Sequence, residues 1–355
     1  MALTDQTSPI REGEELPHDE VDRYLKANIP GIEGTPSITQ FPGGASNLTY
    51  LLQYPNQEFV LRRPPHGHKA KSAHDMGREY RILNRLNSGF PYCPKAYAYC
   101  TDETVIGAEF YIMERVKGII LREDIPEELN LTVPHTTALC KSFIDKFVEL
   151  HNVDYAACGL ADLGKPEGYV QRQISGWIDR YERALTADAP KWEPVKAWLR
   201  DKMPADHPKP SIVHNDYRFD NVILSPSDPM SIIGVLDWEM TTIGDPLMDL
   251  GNTLAYWIEA QDPQPVQLMR RQPSNAPGML TRQQSVDYYA ERAGIEISNF
   301  DYYYTYGLFR LAAIVQQIYY RYFHGQTQDK RFSRFVHMNA LLEQMSLQVI
   351  NKSKL

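Results

Sequence analysis

Ser211-Ile-Val-His-Asn-Asp-Tyr-Arg-Phe-Asp-Asn-Val-Ile-Leu224, followed after a short turn by Ile232-Ile-Gly-Val-Leu-Asp-Trp-Glu239, is the stretch on which the fold turns. Two apolar runs, 222–224 and 232–236, flank the turn region Ser225-Pro-Ser-Asp-Pro229. Short apolar runs separated by turn residues predict an antiparallel hairpin. In such a pair the residue before the first strand faces the residue after the second. Asn221 is therefore expected beside Asp237, with Asp216 on the loop just upstream. Two carboxylates and a carboxamide are hard oxygen donors of the kind magnesium prefers, and magnesium usually shares itself between protein and phosphate oxygens. The pattern suits phosphoryl transfer, where catalysis is mostly positioning and charge neutralisation.

Outward from this stretch, the preceding chain reads differently from the chain that follows. Tyr50-Leu51-Leu52-Gln53-Tyr54, the turn Pro55-Asn56-Gln57 and Phe59-Val60-Leu61-Arg62 predict a second hairpin, and Phe110-Tyr111-Ile112-Met113 a further strand. Helical spacing appears at 17–28, through Val21 and Leu25, and at 73–86, through Met76, Tyr80, Leu83 and Leu86. Beyond residue 113 the spacing is mainly helical, at 136–151, 169–187, 285–293 and 303–322, with the Pro- and Gln-rich stretch 260–279 expected as a long loop. A β-rich first third and a helical remainder predict an α+β protein. The expected division is a nucleotide-binding lobe over 1–113 and a catalytic and substrate-binding lobe over 114–355.

The 355 residues are enough for two lobes, and 43% apolar with 23% charged residues is ordinary for a globular protein. The net charge is 37 − 45 = −8, which argues against nucleic acid as the partner. Cys93, Cys100, Cys140 and Cys158 form no Cys-x-x-Cys pair, so a zinc site is not expected and a reducing, cytoplasmic setting is. No apolar run is long enough to span a bilayer, and the N-terminus lacks the basic and apolar regions of a secretory signal. Ser353-Lys354-Leu355 reads as an address to the peroxisomal matrix if the source is eukaryotic.

The spacing His214-x-Asp216-x-x-x-x-Asn221 with a later Asp237 resembles the catalytic loop and metal-binding aspartate of the protein-kinase-like superfamily. Leu236-Asp237-Trp238-Glu239 is similar to the aminoglycoside phosphotransferase and choline kinase branch. Gly43-Gly44-Ala45-Ser46-Asn47-Leu48-Thr49-Tyr50, Leu61-Arg62-Arg63-Pro64-Pro65, Ala73-His74-Asp75 with Arg78-Glu79-Tyr80, and Gly244-Asp245-Pro246-Leu247-Met248-Asp249-Leu250 look most like kinase domains related to those fused to acyl-CoA dehydrogenases. The matched stretches run from about residue 40 to 257.

The resemblance implies a two-lobed kinase fold and an enzyme that uses ATP and Mg2+ to phosphorylate a small-molecule hydroxyl. Asp216 would be the catalytic base, and Asn221 and Asp237 the metal ligands. Gly43, Gly44, Ser46 and Asn47 would arch over the phosphates. Arg62 would stand where the superfamily has a lysine, paired with Glu79; a guanidinium keeps the charge and can bind phosphate through two N–H groups. Backbone groups of Glu114 and Val116 would meet adenine. Asp249 is expected to hydrogen-bond backbone of the catalytic loop, His214 and His151 to be structural, and His66, His68 and His74 to be solvated.

The acceptor implied by the resemblance is a hydroxyacyl-CoA, with an acyl-CoA dehydrogenase as pathway partner. CoA would need basic groups, for which Arg218, Arg270, Arg271 and Arg282 are candidates. Two alternatives stand beside it: an aminoglycoside or amino-alcohol kinase, which the acidic balance suits, and a pseudokinase that binds nucleotide or metabolite without turnover.

Overall fold

The computed structural model describes residues 5–42, 47–65 and 75–355. In chain order its elements are α1 (His18–Asn28), β1 (Ser37–Gln40), β2 (Leu48–Gln53), β3 (Glu58–Arg63), α2 (Met76–Leu86), β4 (Ala96–Cys100) and β5 (Phe110–Glu114). Then follow α3 (Val133–His151), α4 (Tyr169–Arg183), α5 (Glu193–Asp201), β6 (Ser211–Val213), β7 (Val222–Leu224), β8 (Ile232–Val235) and β9 (Thr242–Gly244). The chain ends in α6 (Pro246–Ala255), α7 (Gln264–Gln267), α8 (Arg282–Ala293), α9 (Phe300–Phe323) and α10 (Phe335–Lys352). This is the expected α+β class. No described helix is long and apolar enough to cross a membrane.

The chain divides into two compact units. The first comprises residues 1–120, 154–160 and 222–239, and the second 121–153, 161–221 and 240–355. The first recruits the β7–β8 hairpin from far along the sequence. Backbone bonding explains the recruitment. Ile119 and Leu224 exchange N–H···O bonds of 2.9 and 2.8 Å, and the Val235 N–H donates to the Tyr92 carbonyl at 2.7 Å. The hairpin itself pairs Val222 with Val235.

In the first unit five antiparallel strands lie in the order β1-β2-β3-β5-β4. Alternation along β2 and β3 sends Tyr50, Leu52, Phe59 and Leu61 into one core with Val21 and Leu25 of α1 and Phe110 and Ile112 of β5. Tyr24 meets Phe110 edge to face at 5.0 Å. The carboxylate of Asp75 caps α2 by accepting the Arg78 N–H at 2.8 Å.

The second unit is helical around α9, which packs on α4, α5, α6 and α10. The α6–α9 crossing is close because glycines face each other. A Cβ on Gly307 would sit 2.1 Å from the Gly251 carbonyl, and one on Gly251 2.2 Å from the Tyr303 carbonyl. Neither position tolerates a side chain without parting the helices. Within the expected loop over 260–279 the chain makes one helical turn, α7.

Candidate functional site

The two units contribute separate sets of chemical groups. In the second, Asp216 sits on the loop between β6 and the 3-10 turn Phe219–Asn221. Its carboxylate accepts from Asn221 Nδ2 at 2.9 Å, and the same amide donates to the Asp216 carbonyl at 2.8 Å. Arg218 approaches from the other side, with Nε 3.0 Å from Asp216 Oδ1. The Arg218 guanidinium also pairs with Asp220 at 3.2 Å and stacks on the Tyr256 ring at 4.6 Å. Because Asn221 spends its amide nitrogen on Asp216, its carbonyl oxygen is the atom left for a cation.

The loop is held from below by Asp249, which is 1% exposed. Asp249 accepts the His214 N–H at 2.6 Å and the Asn215 N–H at 2.7 Å, and meets His151 Nε2 at 3.2 Å. The other His151 nitrogen lies 2.7 Å from the Tyr289 hydroxyl, so this buried ring has partners on both sides. His214 Nδ1 accepts the Asp216 N–H at 3.2 Å. Both histidines thus orient backbone and neighbours.

Asn215 has φ +65°, a left-handed conformation that costs a non-glycine residue energy. It is clamped by Asp249, by donation to the Met240 carbonyl at 3.0 Å, by a bond from Asn252 at 3.1 Å, and by Arg310 on its carbonyl at 2.9 Å. The strain is stored one residue before Asp216.

In the first unit the centre is Arg62 on β3, whose side chain is 11% exposed. Its Nε lies 3.4 Å from Glu79 Oε2 on α2. Its Nη2 lies 2.7 Å from Asp237 Oδ1 and 3.2 Å from Glu239 Oε2. Burial alone would lower the Arg62 pKa, but Glu79, Asp237 and Glu239 outweigh it and hold the guanidinium firmly charged. For Glu79 burial wins instead and raises the carboxyl, with Arg62 opposing.

Asp237 has φ +66°, so the turn after β8 swings its carboxylate back to Arg62. Asn47, ahead of β2, donates to Glu239 Oε2 at 2.8 Å, and Arg78 Nη1 to the Glu239 carbonyl at 3.2 Å. Three carboxyl groups thus surround one guanidinium.

Glu239 is the site residue that sequence reasoning missed. It closes the Leu236-Asp237-Trp238-Glu239 motif, and its place two residues beyond Asp237 was the available signal. Among the described residues no group of three or more His, Cys, Asp or Glu side chains is arranged to hold a metal unaided. Asn221 in the second unit and Asp237 in the first each carry an oxygen donor of the hard kind that magnesium prefers.

At the end of β5 the Glu114 N–H donates to the Lys95 carbonyl at 2.8 Å. Val116 lies against Gly234. Gly43, Gly44 and Ser46, and likewise His66, His68 and His74, lie outside the described residues.

The phosphotransferase enzyme family model matches residues 37–282. Human acyl-CoA dehydrogenase family member 11 is 32% identical over 342 residues, covering 94% of this chain and 43% of that protein. The chain thus spans less than half the length of this relative. A crystal structure described as a candidate aminoglycoside phosphotransferase from Ralstonia eutropha JMP134 is 30% identical. It covers 96% of this chain and 100% of its own, with a TM-score of 0.82. Aminoglycoside phosphotransferase APH(4)-Ia, solved with AMP-PNP and hygromycin B, is similar in fold at 14% identity and TM-score 0.59, covering 94% of this chain and 99% of its own. With its kinase-like fold and the family match over most of its length, this chain belongs to the phosphotransferase enzyme family, enzymes that pass a phosphoryl group to an alcohol.

Proposed function

We propose that this chain transfers the γ-phosphate of ATP to the hydroxyl of a small molecule, with Asp216 as general base and Asn221 and Asp237 as magnesium ligands. The observation that carries the reading is the setting of Asp216. A hydroxyl presented to its carboxylate would meet an acceptor fixed by Asn221 and Arg218, on a loop locked by Asp249. General-base assistance of this kind contributes about 10²–10⁴-fold.

Magnesium, when bound, would neutralise phosphate charge. The residues' own part is to supply oxygens, Asn221 through its carbonyl and Asp237 through its carboxylate. Arg62 would bring a fixed positive charge to the phosphates, and Glu79 would keep it in place. The Glu114 carbonyl and the Val116 N–H would take the adenine edge, with Gly43, Gly44, Ser46 and Asn47 over the phosphates. The nucleotide assignment is supported by the AMP-PNP complex of APH(4)-Ia, a fold neighbour. All four cysteines are free and buried, which suits a reducing compartment such as the cytoplasm.

For the acceptor, a hydroxyacyl-CoA is favoured by the relatedness to acyl-CoA dehydrogenase family member 11, and such a dehydrogenase would be the pathway partner. An aminoglycoside acceptor is favoured by the hygromycin B complex of the fold neighbour. The test is ATP consumption with magnesium against hydroxyacyl-CoAs, amino alcohols and aminoglycosides. Turnover confined to one class assigns the acceptor. Nucleotide binding without turnover of any acceptor would replace the kinase with a binding module.

A further inference from the structure

A cavity of about 360 Å³ opens within the second unit. Arg218 lines it and also contacts the Asp216 carboxylate at 3.0 Å. Apolar side chains make up most of the rest, among them Ile258, Met269, Leu311, Ile314, Ile318 and Phe335. Pockets of this volume with a few convergent polar groups are typical small-molecule sites. Through Arg218 the cavity thus adjoins the group assigned as the base.

The charges around the cavity are nearly all matched. Asp220 faces Arg218 at 3.2 Å. Glu123, also on the wall, turns to Arg270, whose Nη2 is 3.9 Å from it and 2.8 Å from Asp124 Oδ1. Arg282, the other basic candidate, is committed to Asp262 at 2.8 Å and to Glu259 at 3.4 Å. Arg122 lies near enough to act on the Asp220 carboxyl. Arg271 differs. It lines the cavity, is exposed, and among the described residues has no carboxylate, hydrogen-bond or ring partner. One further atom is unanswered: Asp220 Oδ1 is buried without a hydrogen-bond donor.

We infer that this cavity is the acceptor pocket, and that Arg271 selects an acceptor carrying an anionic group and an aliphatic segment. The inference rests on the kinase reading for the word acceptor, but the binding preference stands apart from it. A polycationic sugar would meet an uncompensated guanidinium on the cavity wall. An aliphatic chain would cover the apolar wall, and its carboxylate or phosphate would supply the charge that Arg271 lacks. A hydroxyl near Asp216 would complete the fit.

Calorimetry on the full chain tests this with ω-hydroxydecanoate, its methyl ester, the phosphate-headed analogue, the matching amino alcohol and kanamycin. A charge-assisted contact predicts that the wild type prefers hydroxydecanoate over its ester by about 10- to 100-fold. In Arg271→Ala that ratio should fall close to one, and Arg271→Lys should restore part of it. A larger loss with the phosphate-headed probe than with hydroxydecanoate assigns phosphate as the anion; the reverse assigns carboxylate.

Arg270→Ala, which removes the ion pair with Asp124 and a bond to the Glu123 carbonyl but no unpaired cation, should leave the ratio intact. In turnover assays Arg271→Ala should raise KM for the anionic acceptor far more than it changes kcat. An unchanged ratio in Arg271→Ala, tighter binding of the amino alcohol or kanamycin, or no binding of any probe at millimolar concentration overturns the inference. Arg271-dependent binding without phosphorylation would sink the kinase reading and leave the pocket assignment standing.

Discussion

Replacing Asp249 by Asn tests the support beneath the Asp216 loop with a change of one atom. The Asp249 carboxylate accepts two buried N–H groups, from His214 at 2.6 Å and Asn215 at 2.7 Å. An asparagine keeps one acceptor oxygen and turns an NH2 toward the other N–H. The variant thus loses one charge-assisted bond, worth about 1.5–3 kcal/mol, and strands a buried donor at about 1–3 kcal/mol. A total near 3–5 kcal/mol is expected, a large share of the roughly 5–15 kcal/mol that holds a typical domain.

The clamp on Asn215, held at φ +65°, weakens with it. Urea denaturation should show the fall in stability, and native-state hydrogen exchange should show faster exchange of the His214 and Asn215 amides. A loss below about 1 kcal/mol with both amides still protected would refute the argument. It would mean that the loop is held by Arg310, Asn252 and Met240 alone.

Three further outcomes are expected. Arg62→Ala leaves Glu79, Asp237 and Glu239 facing one another, so it should cost about 3–5 kcal/mol in urea denaturation, as breaking a buried pair does; Glu79→Gln in the same background should recover part of this. For Glu58, burial acts to raise the carboxyl, but Lys117 and Arg115, at 3.0 and 2.8 Å, outweigh it and lower the pKa. Its stabilisation is then present above the usual carboxylate range and lost as pH falls through the lowered value. Glu58→Gln should accordingly destabilise at neutral pH and converge with wild type in acid, and a constant gap across pH would contradict this. Asp237→Ala should abolish the dependence of ATP affinity on magnesium in calorimetry, which retained dependence would disprove.

What the sequence disclosed follows from where the physics is local. The β7–β8 hairpin and the Asp216 loop were legible because turn residues, short apolar runs and polar spacing lie within thirty residues of one another. Arg62 and Glu79 were legible only through resemblance, since nothing in their local pattern says that the strand and the helix meet. That Glu239 joins Arg62 depends on a positive φ at Asp237, which a sequence does not display.

Helix α6 escaped because every one of its residues is buried, so it carries no amphipathic stripe. Helix α10 escaped for the opposite reason. Its buried face is Asn339, Leu342 and Ser346, two of them polar. Asn339 is buried because it accepts from Trp192 Nε1 at 2.8 Å and donates to the Tyr181 hydroxyl at 3.0 Å and Gln316 Oε1 at 2.7 Å. A polar network reads as a solvent face until its partners are known.

The central claim is that Asp216 drives phosphoryl transfer to a hydroxyl, and the most direct measurement compares wild type with Asp216→Ala for Mg-ATP affinity and for acceptor phosphorylation on the same preparation. The account predicts similar nucleotide affinity and a loss of turnover of at least about 10²-fold. Turnover retained in Asp216→Ala would contradict it.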